Sequence, residues 1–252
     1  MKKGEKNMTE NKEDIQQVPT TNPSIEKYLT TGAHIGTRFK SGDMNRYIYK
    51  QRKDGLKVLD VQLIDERVKQ VGQFLAKYDP RLIAVVSRKM YGKTPAEEFA
   101  KSIGAYAITG RFVPGTFTNP RGKEFLQPQV VIVTEPESDA QAISEASKVR
   151  AVVVALASTN NLLANVDVVI PVNNKGRKSL ALIYWLLAKE FLKARGDIPN
   201  DEAFPKKVED FEYALKDGES EEQNMRRGRR DRRGPRVNRL EEAAGLAGGD
   251  RN

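Results

Sequence analysis

Cysteine is absent from this 252-residue chain, and histidine occurs once, as His34. The first absence excludes disulfides and thiolate metal sites, and the second excludes the clustered imidazoles of a zinc or iron centre. Long apolar runs are also missing, and the chain starts with the polar stretch Met1-Lys2-Lys3-Gly4 rather than with a charged and then apolar leader. These absences predict a protein of the reducing cytoplasm, neither membrane-spanning nor secreted and without a cofactor, although carboxylates could still hold magnesium.

Hydrophobic residues make up 38% of the chain. At this length and composition we expect one sizeable core with tails rather than two full domains. Residues 1–22 are polar, carry mixed charge and show no hydrophobic period, which predicts a disordered arm. A folded domain is predicted over residues 23–200. Over residues 201–252 the composition predicts a loosely packed acidic extension followed by a disordered arginine-rich tail.

The formal net charge is +9, and most of it lies in the tail. Residues 226–239 carry eight arginines and one aspartate, which is +7. Such a stretch is usually a solvated, flexible polycation, but it is also how proteins bind RNA phosphates without reading sequence. A second basic cluster lies in the body over residues 37–57, where lysine and arginine outnumber Asp43 and Asp54. Both clusters favour a polyanionic partner.

From residue 56 onward, short apolar segments alternate with helical patterns. Strands are predicted at 56–62, 82–87, 105–109, 130–134, 152–156 and 168–172, and helices near 64–77, 95–103, 139–148 and 177–195. The alternation favours parallel crossovers, and continuously apolar strands are typical of a sheet that is covered on both faces. The pattern predicts a three-layer, doubly wound α/β domain of the flavodoxin or Rossmann type, with a mostly parallel sheet.

Ligands of such sheets bind beyond the carboxyl ends of the strands, so the loops that follow the strands are the candidate site. In the loop 110–119, Pro114 and Gly115 favour a type II turn that projects polar groups beyond the strand. The polar side chains of this loop are those of Arg111, Thr116, Thr118 and Asn119. Two interpretations stay open, a loop that grips phosphate or sugar and a turn whose polar groups satisfy only the local backbone.

The segment 87–94, SRKMYGKT, lies between a strand and a helix, as a phosphate-binding P-loop does. Serine stands where the motif has glycine, and bulky residues remove the freedom that lets backbone amides converge on phosphate. The strand 130–134 also lacks the terminal aspartate that would help to hold magnesium. A basic loop and helix start is therefore favoured over a nucleotide hydrolase built on Lys93 and Thr94.

Two further loops carry chemistry. At 173–178 an asparagine or glycine cap precedes a helix with a basic first turn, which suits either a phosphate contact or a plain capped helix. His34 lies between Gly32 and Gly36, and no nucleophile or carboxylate pattern is tied to it. We therefore predict that His34 stacks or hydrogen-bonds rather than acts as a general base.

Five segments carry a resemblance to a known family: GAHIG at 32–36, MNRYIY at 44–49, GLKVLD at 55–60, the loop 110–119, and IPVNNKG at 170–176. Their order is similar to that in small-subunit ribosomal protein two. Over residues 23–199 the chain resembles the archaeal and eukaryotic branch of that family, whose eukaryotic member is called protein SA or the laminin-receptor precursor. The bacterial branch carries a long inserted helical hairpin. Here only about twenty residues separate the strands that start at 56 and 82, which is room for one crossover helix.

The resemblance implies a structural protein of the small ribosomal subunit in the cytoplasm, without catalysis or a small-molecule substrate. It would bind small-subunit ribosomal RNA between head and body, near where messenger RNA leaves, beside neighbouring small-subunit proteins, and support assembly and translation. The eukaryotic members end in a long acidic tail, whereas this chain ends in an arginine-rich one. That difference and the missing leader argue against a surface adhesion protein.

The matching motifs give eleven candidate RNA-facing or loop-shaping residues: His34, Arg38, Lys40, Asn45, Tyr47, Arg111, Thr116, Asn119, Asn174, Lys175 and Arg177. The basic segments, the strand-end loops and the tail add further RNA-binding candidates: Arg46, Lys50, Arg52, Lys53, Arg88, Lys89, Lys93, Thr118, Lys178, Arg226, Arg227, Arg229, Arg230, Arg232 and Arg233. We predict no catalytic residue and no metal ligand.

Overall fold

The computed structural model describes residues 23–198 and 204–214. The helices within these residues are α1 (Pro23–Thr31), α2 (Val61–Leu75), α3 (Met90–Ile103), α4 (Ala140–Lys148) and α5 (Arg177–Arg195). The strands are β1 (Ile48–Gln51), β2 (Lys57–Leu59), β3 (Ile83–Ser87), β4 (Tyr106–Thr109), β5 (Val130–Val133), β6 (Val152–Ala157) and β7 (Val168–Pro171). Short 3-10 helices span Asn45–Tyr47, Pro80–Leu82 and Val208–Phe211.

The central sheet has five parallel strands in the order β4-β3-β5-β6-β7. The strand that comes first in the chain, β3, has β4 on one side and β5 on the other, so the strand order reverses between β3 and β5. This is the flavodoxin-like doubly wound order. The predicted fold class is therefore confirmed. Because all five strands are parallel, their carboxyl ends share one border of the sheet, which we call the carboxyl edge.

Side chains of the sheet alternate between two apolar layers. Ile83 and Val85 of β3 join the core that is covered by α2, α3 and α5. Ala84 and Val86 face the opposite layer, which consists of α4 and Phe117 from the loop after β4. This period of two explains the continuously apolar strands, because both faces of a parallel sheet are buried.

Helix α2 shows how the larger layer is built. Its buried positions Ile64, Val68, Val71 and Leu75 recur at helical spacing and form one apolar stripe. Asp60 caps its N-terminus by accepting a 2.9 Å hydrogen bond from the backbone N–H of Gln62. The cap starts the helix within the predicted strand 56–62, which leaves only Lys57–Leu59 as β2.

Strand β2 does not belong to the central sheet, so the prediction of a parallel crossover at 56–62 is wrong. It pairs antiparallel with β1, a strand that was not predicted. The hairpin forms because Gly55 takes φ 85° and lets the chain reverse, with the Arg52 N–H donating to the Leu56 carbonyl at 2.8 Å. Helix α1 was also not predicted, and α3 starts at Met90, so that Pro95 lies inside the helix rather than at its start.

Residues 204–214 pack closely against α5. Phe211 is fully buried, and the Trp185 indole N–H donates a 2.8 Å hydrogen bond to the Lys206 carbonyl. This differs from the loose packing that the acidic composition indicated, because a few aromatic residues provide the contact. The chain divides into one unit at Met1–Tyr213 and a second at Ala214–Asn252. The predicted arm over 1–22 and the arginine-rich tail lie outside the described residues.

Candidate nucleic-acid interface

Two carboxylates lie at the point of the carboxyl edge where the strand order reverses, between β3 and β5. Asp139 is 1% exposed, and its Oδ1 accepts a 3.0 Å hydrogen bond from the backbone N–H of Arg88. Burial raises the pKa of the Asp139 carboxyl to about 7. Glu135 is also buried and forms a 3.2 Å ion pair with Lys89. The crevice in which doubly wound folds bind ligands therefore holds side chains of the protein itself.

The P-loop-like segment 87–94 is built around these carboxylates. One of its amides, the N–H of Arg88, donates to Asp139. Gly92 lies within α3, where a Cβ would approach the Ser87 Oγ to 2.3 Å and the Thr134 Cγ2 to 2.9 Å. Glycine is therefore needed for helix α3 to pack against the sheet. This geometry favours the basic loop and helix start over the P-loop interpretation.

The loop 110–119 also holds a carboxylate of the protein. Gly115 takes φ 96°, as the predicted turn requires, and the Thr116 N–H donates to the Val113 carbonyl at 3.2 Å. Glu145 of α4 accepts hydrogen bonds from the Gly115 N–H at 2.8 Å and from the Phe117 N–H at 3.2 Å. It also accepts from the Thr118 hydroxyl at 3.3 Å and from the Gln141 amide at 2.8 Å. The Thr116 hydroxyl donates to the Val113 carbonyl at 2.7 Å, so the two threonines of the loop have internal partners, whereas Arg111 and Asn119 are exposed.

The pKa of Glu145 reflects this arrangement. Burial of the carboxyl acts to raise its pKa, but the hydrogen bonds from the loop and from Gln141 together hold the pKa below its ordinary value. Glu145 is therefore ionised at neutral pH although it is only 2% exposed. In the loop after β4 the carboxylate accepts from two backbone N–H groups, as an anion bound by a loop does.

The loops after β6 and β7 are joined by asparagine side chains. The Asn174 amide N–H groups donate to the Leu156 carbonyl at 2.9 Å and to the Asn161 Oδ1 at 3.0 Å. The Lys175 ammonium donates to the Asn160 Oδ1 at 3.1 Å. Asn174 itself is fully buried. This side of the carboxyl edge thus carries amides and a lysine in place of the carboxylates found at β3 and β5.

The start of the basic segment is fixed to the loop after β6 through Thr159. The Thr37 N–H donates to the Thr159 Oγ1 at 2.8 Å, and the Ser41 N–H donates to the Thr159 carbonyl at 2.9 Å. A Cβ on Gly36 would lie 2.4 Å from the Thr159 Cγ2, so only glycine permits this approach. We define the basic edge as residues 37–57 with the loops 158–161 and 173–176.

The hairpin β1–β2 continues the basic edge. Residues 35–37 run along the free side of β2, since Ile35 forms a bridge with Val58. Strand β1 lies on the other side of β2, and its last three residues are exposed. Arg52 pairs with Asp54 at 3.3 Å, and both side chains are largely in solvent. Asp43 accepts a hydrogen bond from the Leu163 N–H at 3.2 Å.

The predicted RNA-binding residues fall into three burial classes. Twelve are exposed: Arg38, Lys40, Asn45, Arg46, Lys50, Arg52, Lys53, Arg88, Arg111, Thr118, Asn119 and Lys178. Five are half-buried: His34, Lys89, Lys93, Lys175 and Arg177. Three are buried: Tyr47, Thr116 and Asn174. The tail candidates Arg226, Arg227, Arg229, Arg230, Arg232 and Arg233 lie outside the described residues.

Burial separates the two alternatives, RNA-facing and loop-shaping, for part of this candidate set. The buried side chains of Tyr47, Thr116 and Asn174 fit the loop-shaping alternative of the prediction rather than the RNA-facing one. Arg177 pairs with Glu212 at 2.9 Å and donates to the Tyr213 carbonyl at 3.2 Å, so it fastens the segment 204–214 to α5. An arginine placed at the start of a helix gave no sign of this use in the sequence.

His34 is half-buried, and its Nδ1 lies 3.4 Å from the Tyr28 carbonyl oxygen. Burial lowers the pKa of the imidazole below its ordinary value. The ring is therefore uncharged at neutral pH and adds no cation to the basic edge. This contact fits the hydrogen-bonding role that was predicted for His34 over a general base.

Sequence reasoning missed several residues that organise the site. Thr159 was recognisable as part of the polar run STNN that follows an apolar strand directly. Asp139 and Glu145 gave no comparable signal, because a carboxylate at a helix start or on a helix face is usually solvated. Phe39 lies in the basic segment and is 79% exposed.

No helix in the described part of the chain is both long and apolar enough to cross a membrane. In comparison with known families, a model described as Ribosomal protein S2 matches residues 122–194. The match starts in the loop after β4, covers β5, α4, β6 and β7, and ends within α5. It includes the asparagine-rich loops of the basic edge. Over these residues, which are less than half of the chain, the protein is similar to ribosomal protein S2.

Proposed function

We propose that this chain is a structural constituent of the small ribosomal subunit that binds small-subunit ribosomal RNA through its basic edge. The family match carries the proposal, because it covers the strands and loops on which the basic segment is mounted. On the ribosome the protein would support subunit assembly and translation. Its partners would be ribosomal RNA and neighbouring small-subunit proteins, and we infer a structural rather than a catalytic role.

The charge of the basic edge supports an RNA contact. Six cationic side chains over residues 38–53 are exposed: Arg38, Lys40, Arg46, Lys50, Arg52 and Lys53. The two acidic residues of this segment, Asp43 and Asp54, already have partners within the protein. A net positive, exposed surface held on a rigid sheet edge is suited to phosphates and 2′-hydroxyls of folded RNA.

The finer placement rests on the resemblance. We propose that the protein is of the archaeal and eukaryotic type and lies between head and body, near the site where messenger RNA leaves. In support of that branch, α2 is the one long helix between β2 and β3, with only the 3-10 turn Pro80–Leu82 beside it. An inserted helical hairpin of the bacterial kind has no counterpart between these strands.

The alternative of a nucleotide hydrolase built on Lys93 and Thr94 receives no support from the geometry. The backbone N–H of Arg88 donates a hydrogen bond to Asp139, and Lys89 forms an ion pair with Glu135. A nucleotide phosphate at this position would face two carboxylates. Titration with ATP and GTP in magnesium would reveal such an activity as tight, saturable binding that is lost in Lys93→Ala.

Sedimentation of a lysate that contains the tagged protein tests the proposal. The lysate is run on sucrose gradients with and without ribonuclease, at moderate and at high salt. We expect stoichiometric migration with the small subunit, abolished by ribonuclease. Migration as a free protein in the untreated lysate would contradict the ribosomal role.

A further inference from the structure

Phe39 is the most exposed large apolar side chain among residues 23–198 and 204–214, at 79% of its surface. Phe99 and Phe191, by contrast, are fully buried. Single exposed apolar residues are common on protein surfaces, so exposure by itself assigns no role. The backbone and the charges around Phe39 distinguish it from a casual surface residue.

The backbone at Phe39 is held on both sides. Its carbonyl oxygen accepts hydrogen bonds from the Thr37 hydroxyl at 2.9 Å and from the Thr159 hydroxyl at 3.1 Å. Two residues later, the Ser41 hydroxyl donates to the Asn161 carbonyl at 2.7 Å. The chain is thus fixed to the loop after β6 while the ring stays in solvent. A rigid mount of this kind lowers the entropy cost of using the ring as a binding surface.

Cationic residues flank Phe39 in sequence, and others belong to the same basic edge. Arg38 and Lys40 flank it and are both exposed. Tyr49 of the adjoining hairpin is 64% exposed and has the Lys50 ammonium 5.9 Å from its ring centroid. Cores of protein–protein interfaces are depleted in lysine and other charged residues, whereas surfaces for single-stranded nucleic acid combine cations with exposed aromatic rings. The composition therefore favours RNA over a protein partner.

We infer that Phe39 is a stacking platform for an unpaired base of RNA, with Arg38 and Lys40 placed to contact the adjoining phosphates. This inference rests on the proposed function. It specifies the class of RNA that the basic edge binds. Bases within a duplex are stacked on each other and offer no free face to a ring. The basic edge would therefore favour a loop, bulge or single-stranded segment over a plain helix.

The test uses the full-length chain and a single-stranded oligo(U) of about 12 nucleotides with 2-aminopurine at its centre, beside a duplex of the same length. The fluorescence of 2-aminopurine falls when the base stacks on a ring. We expect Phe39→Leu to weaken single-strand binding about tenfold and to reduce the quenching. Duplex binding and the dependence of affinity on salt should stay unchanged, because no charge is removed. Phe39→Trp should restore binding and quenching.

Tyr106→Leu is the matched control, because Tyr106 is an exposed aromatic residue on the opposite edge strand, β4, and should leave both signals unchanged. Equal binding and quenching in wild type and Phe39→Leu would overturn the stacking role, as would an equal loss for duplex and single strand. Absence of oligonucleotide binding by the wild type would overturn it too. The sedimentation experiment would still decide the ribosomal role independently, so the two failures are distinguishable.

Discussion

At the scale of single residues, internal carboxylates organise the loops after β3 and β4. Glu145 accepts four hydrogen bonds, three of them from the loop 110–119. Asp139 accepts a hydrogen bond from the backbone N–H of Arg88 in the P-loop-like segment. Each carboxylate organises a loop by the same interactions that would otherwise hold phosphate. Their energetic contributions can be measured by mutation.

Glu145→Ala should lower the free energy of unfolding by about 2–3 kcal/mol, because it leaves the buried N–H of Phe117 and its neighbours without an acceptor. Urea denaturation followed by circular dichroism would measure this loss. Glu124→Ala in the same long loop removes an exposed carboxylate and should change the stability by less than about 0.5 kcal/mol. Equal effects of the two substitutions would show that Glu145 does not organise the loop.

Asp139 should make stability depend on pH. Its pKa in the fold is about 7, above the ordinary value of 3.8, so the folded state binds more protons between these two pH values. Its contribution is therefore fully present below pH 4 and is lost as the pH rises through 7. The stability of wild type relative to Asp139→Asn should fall across this range by on the order of 4 kcal/mol. A difference that does not vary with pH contradicts the raised pKa.

At the scale of elements, the hairpin β1–β2 turns the basic segment into a surface. Gly55 closes the turn with a positive φ, and residues 35–37 extend the pairing on the free side of β2. The exposed residues of β1 and of the turn thereby share one small antiparallel platform beside the loops after β6 and β7. Their charges are expected to act together on the RNA backbone.

Neutralising Lys50, Arg52 and Lys53 to alanine together should weaken binding to a transcript of small-subunit ribosomal RNA. The slope of log affinity against log salt should fall by about 2, because two to three phosphate contacts are lost. Filter binding at several salt concentrations measures both quantities. The matched control neutralises Lys77, Arg81 and Lys148, which are exposed near the opposite border of the sheet. An unchanged slope in the hairpin variant would reject this segment as an RNA contact.

At the scale of the whole molecule, charge is distributed unequally along the carboxyl edge. The half at β3, β4 and β5 contains buried carboxylates beside the exposed Arg88 and Arg111, whereas the half at β6, β7 and the hairpin contains amides and a larger group of exposed cations. Most of the formal net charge lies separately, in residues 226–239. The first unit of the chain ends at Tyr213, after Phe211 has packed on α5. Folding and tail-mediated RNA affinity should therefore be separable.

Deleting the chain from Met225 onward should reduce nonspecific RNA affinity and leave the melting temperature and helix content unchanged. Phe211→Ala provides the contrast, because removing a fully buried ring should cost about 3–5 kcal/mol of stability. Thermal melts and binding to an unrelated RNA would measure both variants. A large fall in melting temperature on deletion would show that the tail belongs to the fold.

Much of the fold was predictable because the central strands are apolar at every position and the helices carry clear stripes. The predictions of secondary structure were wrong where a single residue decides the local structure against the hydrophobic pattern. Asp60 caps α2 inside the segment that was predicted as a strand, and Gly55 turns the remainder into a hairpin. Of the candidate site, the exposed cations of residues 38–53 could be predicted. The burial of Asn174 and the ion pair between Arg177 and Glu212 could not be predicted, because the partners of these residues are distant in sequence.

The sequence by itself determined the α/β class and the two basic clusters, because hydrophobic period and charge are local properties of the chain. Only the tertiary structure decided which loops are open to a partner. Glu145 and Thr159 lie about 30 and 120 residues from the groups they bind, and folding brings each pair within hydrogen-bonding distance. Contacts of that range place a carboxylate under the loop after β4 and fix the backbone of Phe39 to the loop after β6.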